Sequence, residues 1–538
     1  MRNRILTHGL VMVSLILPRL ASAQLDPLEC EGQSFPNFCF MATESLPPLQ
    51  FGGAAWGDLD GDGDMDLVLT GNRGTRSEPQ PHLEAYANLG EDLILGPPNT
   101  PTGPPSTTYV TRYSDVGLSA TLGFALWDGF PALADYDADG DLDIAVSGVG
   151  AAGGGVTVVL NNVGVGSMTF EVADLLPGLG SSSLAWTDID NDGDLDLVSS
   201  GTDESGETSL YVFENQGDGV FTFVDTGLEG AAHGRIVPGD VDGDGDADLL
   251  VSGVLGGEQN IVRIYLNEGG TFTDSQAGLP AALFAAADWA DYDGDGDLDI
   301  LISGGQLSPF VMRGTTRVFR NDDFSFFEVA VLDGTLHGTV LWADFDSDGD
   351  VDAIASGAER ISGDVLARVF ENDGGSFSPA ERFGGGLFGD MAAGDYDGDG
   401  DVDFLLTGVL STVGTVTQEY RNEIPHENAP PSAPIGLAAV TVGSNTTFSW
   451  AAASDDQTPG PGLTYNLRIG TAPGANDVMP SNAATDGRRL VTARGNVDHN
   501  LERTIGGLES GTYYWAVQAI DSGGNGSAFS TENVLVVP

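Results

Sequence analysis

The sequence predicts an all-β chain: a seven-bladed β-propeller followed by an immunoglobulin-like β-sandwich. Three observations carry that prediction. The pattern Asp-x-Asp-x-Asp-Gly-Asp-x-Asp occurs seven times, starting at Asp58, Asp135, Asp188, Asp240, Asp291, Asp344 and Asp395. Each copy runs into a short apolar stretch such as LVLTG or LLVSG, which reads as strand rather than helix. The copies are spaced by 77, 53, 52, 51, 53 and 51 residues, and a fixed period near this length marks a repeat array.

Each repeat divides in the same way. A short strand precedes the loop (AAWGD, LAWTD, ADWAD, VLWAD) and a second follows it. A third ends in asparagine, as in SLYVFEN to Asn215, IVRIYLN to Asn267, TRVFRN to Asn321 and LARVFEN to Asn372. A Gly-rich turn and a fourth strand close the unit, which is the content of one propeller blade. The longer first spacing falls between Asn88 and Tyr109, where GPPNTPTGPPS predicts an extended loop on one blade. The last repeat stops after its third strand, TVTQEYRN, while Phe38 to Glu44 resembles an orphan fourth strand. The N-terminal segment is therefore expected to complete the last blade and remove an exposed sheet edge.

The loops carry the chemistry. Like charges 4 Å apart repel by roughly 1 kcal/mol in water and about 4 kcal/mol at an effective dielectric near 20. Five carboxylates in nine residues therefore call for a hard cation, and Ca²⁺ takes about 6–8 oxygen ligands. In the first loop Asp58, Asp60, Asp62 and Asp66 are expected to supply side-chain oxygens and Asp64 its backbone carbonyl, with Gly63 allowing the bend. The same roles fall to Asp135, Asp137, Asp139, Asp141 and Asp143, and to Asp188, Asp190, Asp192, Asp194 and Asp196. They recur at Asp240, Asp242, Asp244, Asp246 and Asp248, and at Asp291, Asp293, Asp295, Asp297 and Asp299. The last two sets are Asp344, Asp346, Asp348, Asp350 and Asp352, and Asp395, Asp397, Asp399, Asp401 and Asp403. About seven structural Ca²⁺ ions are expected. EF-hands are excluded, because position twelve is Leu69, Val146, Ser199, Val251, Ile302, Ala355 or Leu406 and never Glu.

A formal charge of −60 over 538 residues disfavours nucleic acid and anionic membranes as partners. All 20 basic residues are arginine. The lack of lysine removes P-loop phosphate binding and Schiff-base catalysis. Residues 1–23 read as a secretory signal: Arg2 and Arg4, an apolar run from Ile5 to Leu17, then Ala21-Ser22-Ala23 before Gln24. A secreted chain, free or held at the cell surface, is the expectation. In an oxidising compartment Cys30 and Cys39 are expected to pair, the alternative being two buried thiols.

The seven DxDxDGDxD loops, with Phe51-Gly52, Phe388-Gly389 and looser equivalents seven residues before each loop, resemble FG-GAP (VCBS-type) repeats. Those are the repeats of integrin α propellers and of many secreted bacterial proteins. The resemblance covers roughly residues 36–424 and implies calcium in the hairpin between the two inner strands of each blade. This chain departs from integrins in carrying the loop in every repeat.

Domain boundaries follow: a propeller over 24–424, a Pro-rich linker over 425–434 and a second unit over 435–538. The second unit resembles a fibronectin type III domain, with Trp450, Tyr465 on a middle strand and Tyr514 as the expected corner tyrosine. Polar stretches around Asp455–Gly462 and Gly474–Asp486 read as enlarged loops.

Ligand binding is expected at the mouth opposite the calcium hairpins. The residues seven before each loop are Phe51, Asp128, Ser181, His233, Phe284, His337 and Phe388. Asp128, His233 and His337 are the candidate polar contacts, with Trp127 beside them as a stacking platform. The alternative is that these aromatics only cap the core. Trp56, Trp186, Trp289 and Trp342 share one register two residues before their loops and are expected to pack between blades. Catalytic motifs are lacking: no HExxH or GxSxG occurs, and Gly148-x-Gly150-x-x-Gly153 lies between strands with no following helix. No acid is expected in an apolar setting that would raise its pKa. The expected function is extracellular binding or adhesion, by a monomer, to a protein or glycan. A polysaccharide-directed enzyme or docking module and a structural surface or matrix component are the alternatives.

Overall fold

The computed structural model describes residues 40–43 and 46–538, apart from 76–77, 99–104, 151–152, 165, 218, 257–258, 308–311, 361–363, 412–413, 423 and 425–427. The signal segment 1–23, Cys30, Cys39 and part of the linker lie outside the described residues.

The fold is all-β and propeller-like. Among the described residues, seven antiparallel sheets each carry one aspartate loop, and in each the loop joins the first strand to the second. The first sheet holds Ala54–Gly57, Asp66–Asn72, Pro81–Pro98 and Pro105–Asp115. The third holds Gly180–Thr187, Asp196–Thr202, Thr208–Asn215 and Phe221–Asp225. In the seventh, Met391–Gly394, Asp403–Ser411 and Gly414–Asn422 are joined by Phe40–Thr43. That last strand pairs Phe40 with Asn422 and Thr43 with Glu419, so the predicted closing strand forms.

The strand pattern explains the burial. Second strands are apolar on both faces and wholly buried, as in Asp66–Asn72 and Asp352–Ala358. Fourth strands alternate and keep one face wet, as in Ser325–Asp333. First strands of consecutive sheets adjoin one another in order, and that of the seventh adjoins that of the first. An apolar cluster fills each junction. Leu197 and Phe213 meet Tyr136 and Val159 between the second and third sheets. Leu67 and Tyr86 meet Tyr396 and Leu405 between the first and seventh. Each fully buried side chain of this size contributes about 1.5–3 kcal/mol.

The stretch between Asn88 and Tyr109 is strand as far as it is described, and residues 99–104 of the Pro-rich insert lie outside the described residues. Its flanks continue the third and fourth strands of the first sheet as a long hairpin, pairing Leu93 with Tyr109 and Leu95 with Thr107. The pairing reaches Pro98 and Pro105, after a register shift beyond Leu95.

The C-terminal unit is a two-sheet sandwich. One sheet contains Ile435–Val442, Asn445–Ala451 and Glu502–Gly506, the other Thr464–Gly470, Gly511–Ile520 and Asn533–Val537. Trp450, Tyr465, Phe448 and Trp515 fill its core. Tyr513, not Tyr514, is the corner residue: it is buried, and its hydroxyl donates to the Glu509 carbonyl at 3.0 Å. Strand alternation turns Tyr514 to the other face.

Candidate metal centres and the opposite mouth

The ninth aspartate of every loop is a hairpin lock. Its Oδ2 accepts from the backbone N–H of loop position two at 2.8–3.2 Å in all seven copies. Its Oδ1 accepts from the backbone N–H of the asparagine ending the third strand at 2.6–2.8 Å. That asparagine's side chain then reaches the neighbouring sheet. Its Nδ2 donates to the position-two carbonyl of the preceding loop at 2.7–3.1 Å, from Asn162 to Leu59 onward to Asn422 to Phe345. Asn88 completes the set by donating to Tyr396. The repeated terminal asparagine was visible in the sequence, but its partner lies one repeat away and was not.

The loop carboxylates crowd together, in three copies with the ninth aspartate among them. Oxygens of Asp58, Asp60 and Asp62, of Asp135, Asp137 and Asp143, and of Asp188, Asp190 and Asp196 lie within 4.8 Å of one another, as do those of Asp240, Asp242 and Asp248 and of Asp291, Asp293 and Asp295. Glycine N–H groups at position six donate to the first aspartate, for example Gly245 to Asp240 and Gly296 to Asp291, both at 2.8 Å. Burial, then neighbouring carboxylates, pushes Asp135 up to about 7 and Asp143 up to about 9. Asp135 Oδ1, Asp137 Oδ1, Asp188 Oδ1 and Asp346 Oδ1 are buried without a hydrogen-bond partner. An all-oxygen donor set with buried, unpartnered anionic oxygens fits a hard divalent cation.

The C-terminal sandwich covers this loop end. Leu490 and Val491 pack with Leu59 and Leu142, and the Asp58 N–H donates to the Leu490 carbonyl at 3.0 Å. Arg503 Nη2 donates to Asp188 Oδ2 at 2.9 Å. A Cβ on Gly294 of the fifth loop would strike Pro459 at 2.9 Å. Both predicted enlarged loops take part: Gln457 Nε2 donates to the Ser347 carbonyl at 2.8 Å and Asn476 Nδ2 to Asp135 Oδ2 at 3.2 Å. A signal for the docking existed: Arg468, Arg488, Arg489, Arg494 and Arg503 cluster within the one unit that lacks aspartate loops.

Beneath the sandwich lies a cavity of about 860 Å³ on the central axis. Trp56, Trp186, Trp289 and Trp342 line it. Trp56 stacks on Tyr396, Trp186 on Tyr136 and Trp342 on Tyr292, each tyrosine belonging to the preceding sheet's loop. Trp289 Nε1 donates to the Pro238 carbonyl at 2.9 Å. Arg235 also faces the cavity, with Nη2 donating to Asp390 Oδ1 at 2.5 Å. Burial raises Asp390 and Asp288, partly offset by Arg235 and, for Asp288, also by Arg494. These two acids, with the buried loop aspartates, correct the expectation that no carboxylate sits in a pKa-raising setting. Asp288 and Asp390 were missed because each stands outside the loop pattern.

At the opposite mouth, Phe51, Asp128, Ser181, His233, Phe284, His337 and Phe388 all adopt left-handed φ angles of 50–63°. Such angles cost a non-Gly residue about 1–3 kcal/mol. The following glycines explain the geometry: a Cβ at Gly52, Gly129, Gly234, Gly338 or Gly389 would lie 1.6–2.1 Å from a carbonyl of the next strand. Backbone bonds run around the mouth, Phe51 N–H to the Phe388 carbonyl at 2.7 Å and Asp128 N–H to the Phe51 carbonyl at 2.6 Å.

The side chains form two arcs. Trp127, Phe51, Phe388, His337 and Phe284 make a continuous run of ring contacts, closest between Phe284 and His337 at 3.5 Å. On the other side, Ser181 Oγ donates to Asp128 Oδ2 at 2.6 Å and His233 Nδ1 stands 3.7 Å from Asp128 Oδ1. Burial, with His233 nearby, lowers His337 to about 4, so it is neutral. The structure therefore brings together the four predicted residues Trp127, Asp128, His233 and His337.

An all-β, propeller-like protein with one carboxylate loop per sheet is the class these features define. The sequence comparison agrees: residues 135–199, 188–251 and 254–302 match the FG-GAP-like repeat, and the chain carries three such repeats there. No curated protein sequence matches the chain. Among solved structures, a thermostable family-43 glycoside hydrolase aligns at 9% identity over 47% of this chain and 92% of its own, with a TM-score of 0.25. A fructofuranosidase from Schwanniomyces occidentalis, complexed with fructose, aligns at 9% identity over 64% and 88%, with a TM-score of 0.25. A beta-fructofuranosidase from Aspergillus kawachii aligns at 11% identity over 96% and 92%, with a TM-score of 0.26. No residue role is transferred from any of them.

Proposed function

We propose that this chain is a secreted, calcium-binding, seven-bladed β-propeller with a fibronectin type III-like sandwich, acting as an extracellular binding or adhesion protein for a protein or glycan. One observation carries the binding reading: the free mouth gathers an aromatic arc and a polar arc on a strained ring. Backbone strain of this kind concentrates at functional sites. Apolar walls with few convergent polar groups are the usual make-up of ligand sites. The other end is covered by the sandwich, which leaves the mouth as the presented face. Calcium fits as a structural ion that neutralises each loop from within.

The test is binding of the calcium-loaded full chain to glycan and extracellular-protein arrays. Trp127→Ala and Asp128→Asn are expected to abolish the signal that the wild type gives. Wild-type signal that survives both substitutions, or no signal at all, overturns the reading.

A polysaccharide-directed enzyme is the second reading, and the axial cavity, lined by Asp288 and by the Arg235 that binds Asp390, favours it. Both acids face arginine, however, and the cavity lies between the sandwich and the mouth ring. Release of reducing sugar by wild type but not by Asp390→Asn would support this reading.

A further inference from the structure

Five of the seven loops meet the sandwich through their first aspartate, and the partners are of two chemical kinds. In the first and third loops the partner is a guanidinium: Arg488 Nη1 pairs with Asp58 Oδ2, and Arg503 Nη2 with Asp188 Oδ2 at 2.9 Å. Arg503 also donates through Nη1 to the Gly245 carbonyl of the fourth loop. In the second, fourth and sixth loops the partner is a neutral side chain that contains an oxygen. Asn476 Nδ2 donates to Asp135 Oδ2 at 3.2 Å, Asn500 Nδ2 to Asp240 Oδ2 at 2.6 Å, and Ser522 Oγ to Asp344 Oδ2 at 2.8 Å.

Carboxylate oxygens that no donor reaches stand in the second and sixth of these loops, as they do in the first and third, whereas both oxygens of Asp240 in the fourth accept hydrogen bonds. Asp135 is 1% exposed and its Oδ1 has no hydrogen-bond partner. In the sixth loop Asp346 is 6% exposed and its Oδ1 is likewise unpartnered. A buried anionic oxygen without a donor is costly unless a cation meets it. An asparagine amide has its carbonyl oxygen on the same carbon as the donating nitrogen, and a serine hydroxyl keeps lone pairs while donating. Both are oxygen ligands that Ca²⁺ accepts.

We propose that the second and sixth loops are divalent-cation sites shared between the two units. Asn476 and Ser522 supply the sandwich's oxygen to them, while at the first and third loops Arg488 and Arg503 compete with the cation for the first aspartate. The proposal rests on the reading of the loops as calcium sites. It makes docking and cation binding reciprocal: whatever the sandwich adds to cation affinity, the cation adds to docking. At the first and third loops the relation reverses, because cation and guanidinium compete for one carboxylate.

The test uses the metal-stripped full chain, titrated with Ca²⁺ by calorimetry while native mass spectrometry counts bound ions. Asn476→Ala is expected to weaken one site by about tenfold, the usual size of such supporting effects. Asn476→Asp separates the roles. It removes the donor to Asp135, so it should loosen docking in the metal-free chain, read by limited proteolysis. It adds an anionic ligand, so it should tighten the site when Ca²⁺ is present. Arg503→Gln should tighten the third loop. No Ca²⁺ uptake by the wild type would overturn the calcium reading itself. Uptake by the wild type with unchanged affinities in all three variants would overturn the sharing alone, as would weaker binding in Asn476→Asp.

Discussion

The side-chain amide of Asn88 donates to the main-chain carbonyl of Tyr396 at 3.1 Å across 308 residues of sequence. Six equivalent amides make the same bond to the sheet before their own. Asn215 is typical, donating to Tyr136 and Leu195 while accepting from Gly217 and Gly219. Asn215→Ala is expected to cost about 1–3 kcal/mol, since buried carbonyls lose their donor. Asn215→Asp should cost more, because it sets a charge against those carbonyls. Urea denaturation in calcium measures both, and a loss below that of an exposed-site substitution would refute the bridging role.

Chelation should lower the melting midpoint on the order of tens of degrees, because one ion at 100 times its dissociation constant contributes about 2.7 kcal/mol and several act together. Asp60→Ala should do far less, with six loops left. An unchanged melt in EDTA would contradict the calcium reading.

Arg235→Met should destabilise the fold by about 3–5 kcal/mol, since it strands the buried Asp390 carboxylate. The double change Arg235→Met with Asp390→Leu should recover much of that loss. Equal stability of single and double variants, followed by denaturant midpoint, would show that the pair is not coupled.

His337 makes stability pH-dependent. It is held at about 4 in the fold, against about 6.5 unfolded. The unfolded chain therefore binds the extra proton first. Its contribution is complete above about pH 6.5 and is lost as pH falls towards 4. His337→Phe, a residue already found at equivalent positions 51, 284 and 388, should flatten the acid limb of the calcium-saturated melting profile. Parallel wild-type and variant profiles from pH 7.5 to 4.5 would rule this out.

The repeated chemistry was readable from the sequence because it recurs in register. The aspartate loops, the four strands per repeat and the closing strand at Phe40–Thr43 follow from spacing and alternation. What recurs across repeats was harder. Ser and Thr residues within the second strands bond to neighbouring sheets in several copies, as Thr70 Oγ1 does to the Gly129 carbonyl at 2.6 Å and Ser200 Oγ to the Ala231 carbonyl at 3.1 Å. Their pattern was visible, but nothing in it names a partner. The Asp128–His233 arc was read because both residues share a register. Asp390 and Asn476 were not, since each occurs once and acquires meaning only from a residue distant in sequence. The Tyr513 and Tyr514 choice turned on one step of strand alternation, which a single sequence window does not settle.

The pairing of Phe40–Thr43 with Gly414–Asn422 has a kinetic consequence. The seventh sheet stays incomplete until the ribosome has passed residue 422, so the earliest described strand must wait for one of the latest. Contacts this far apart close slowly. During that wait Phe40–Thr43 has no partner, and once Gly414–Asn422 has emerged its edge is open to foreign strands until the N-terminal strand docks. A homologous peptide spanning residues 38–44, present during refolding, would compete for that vacancy and trap an open array.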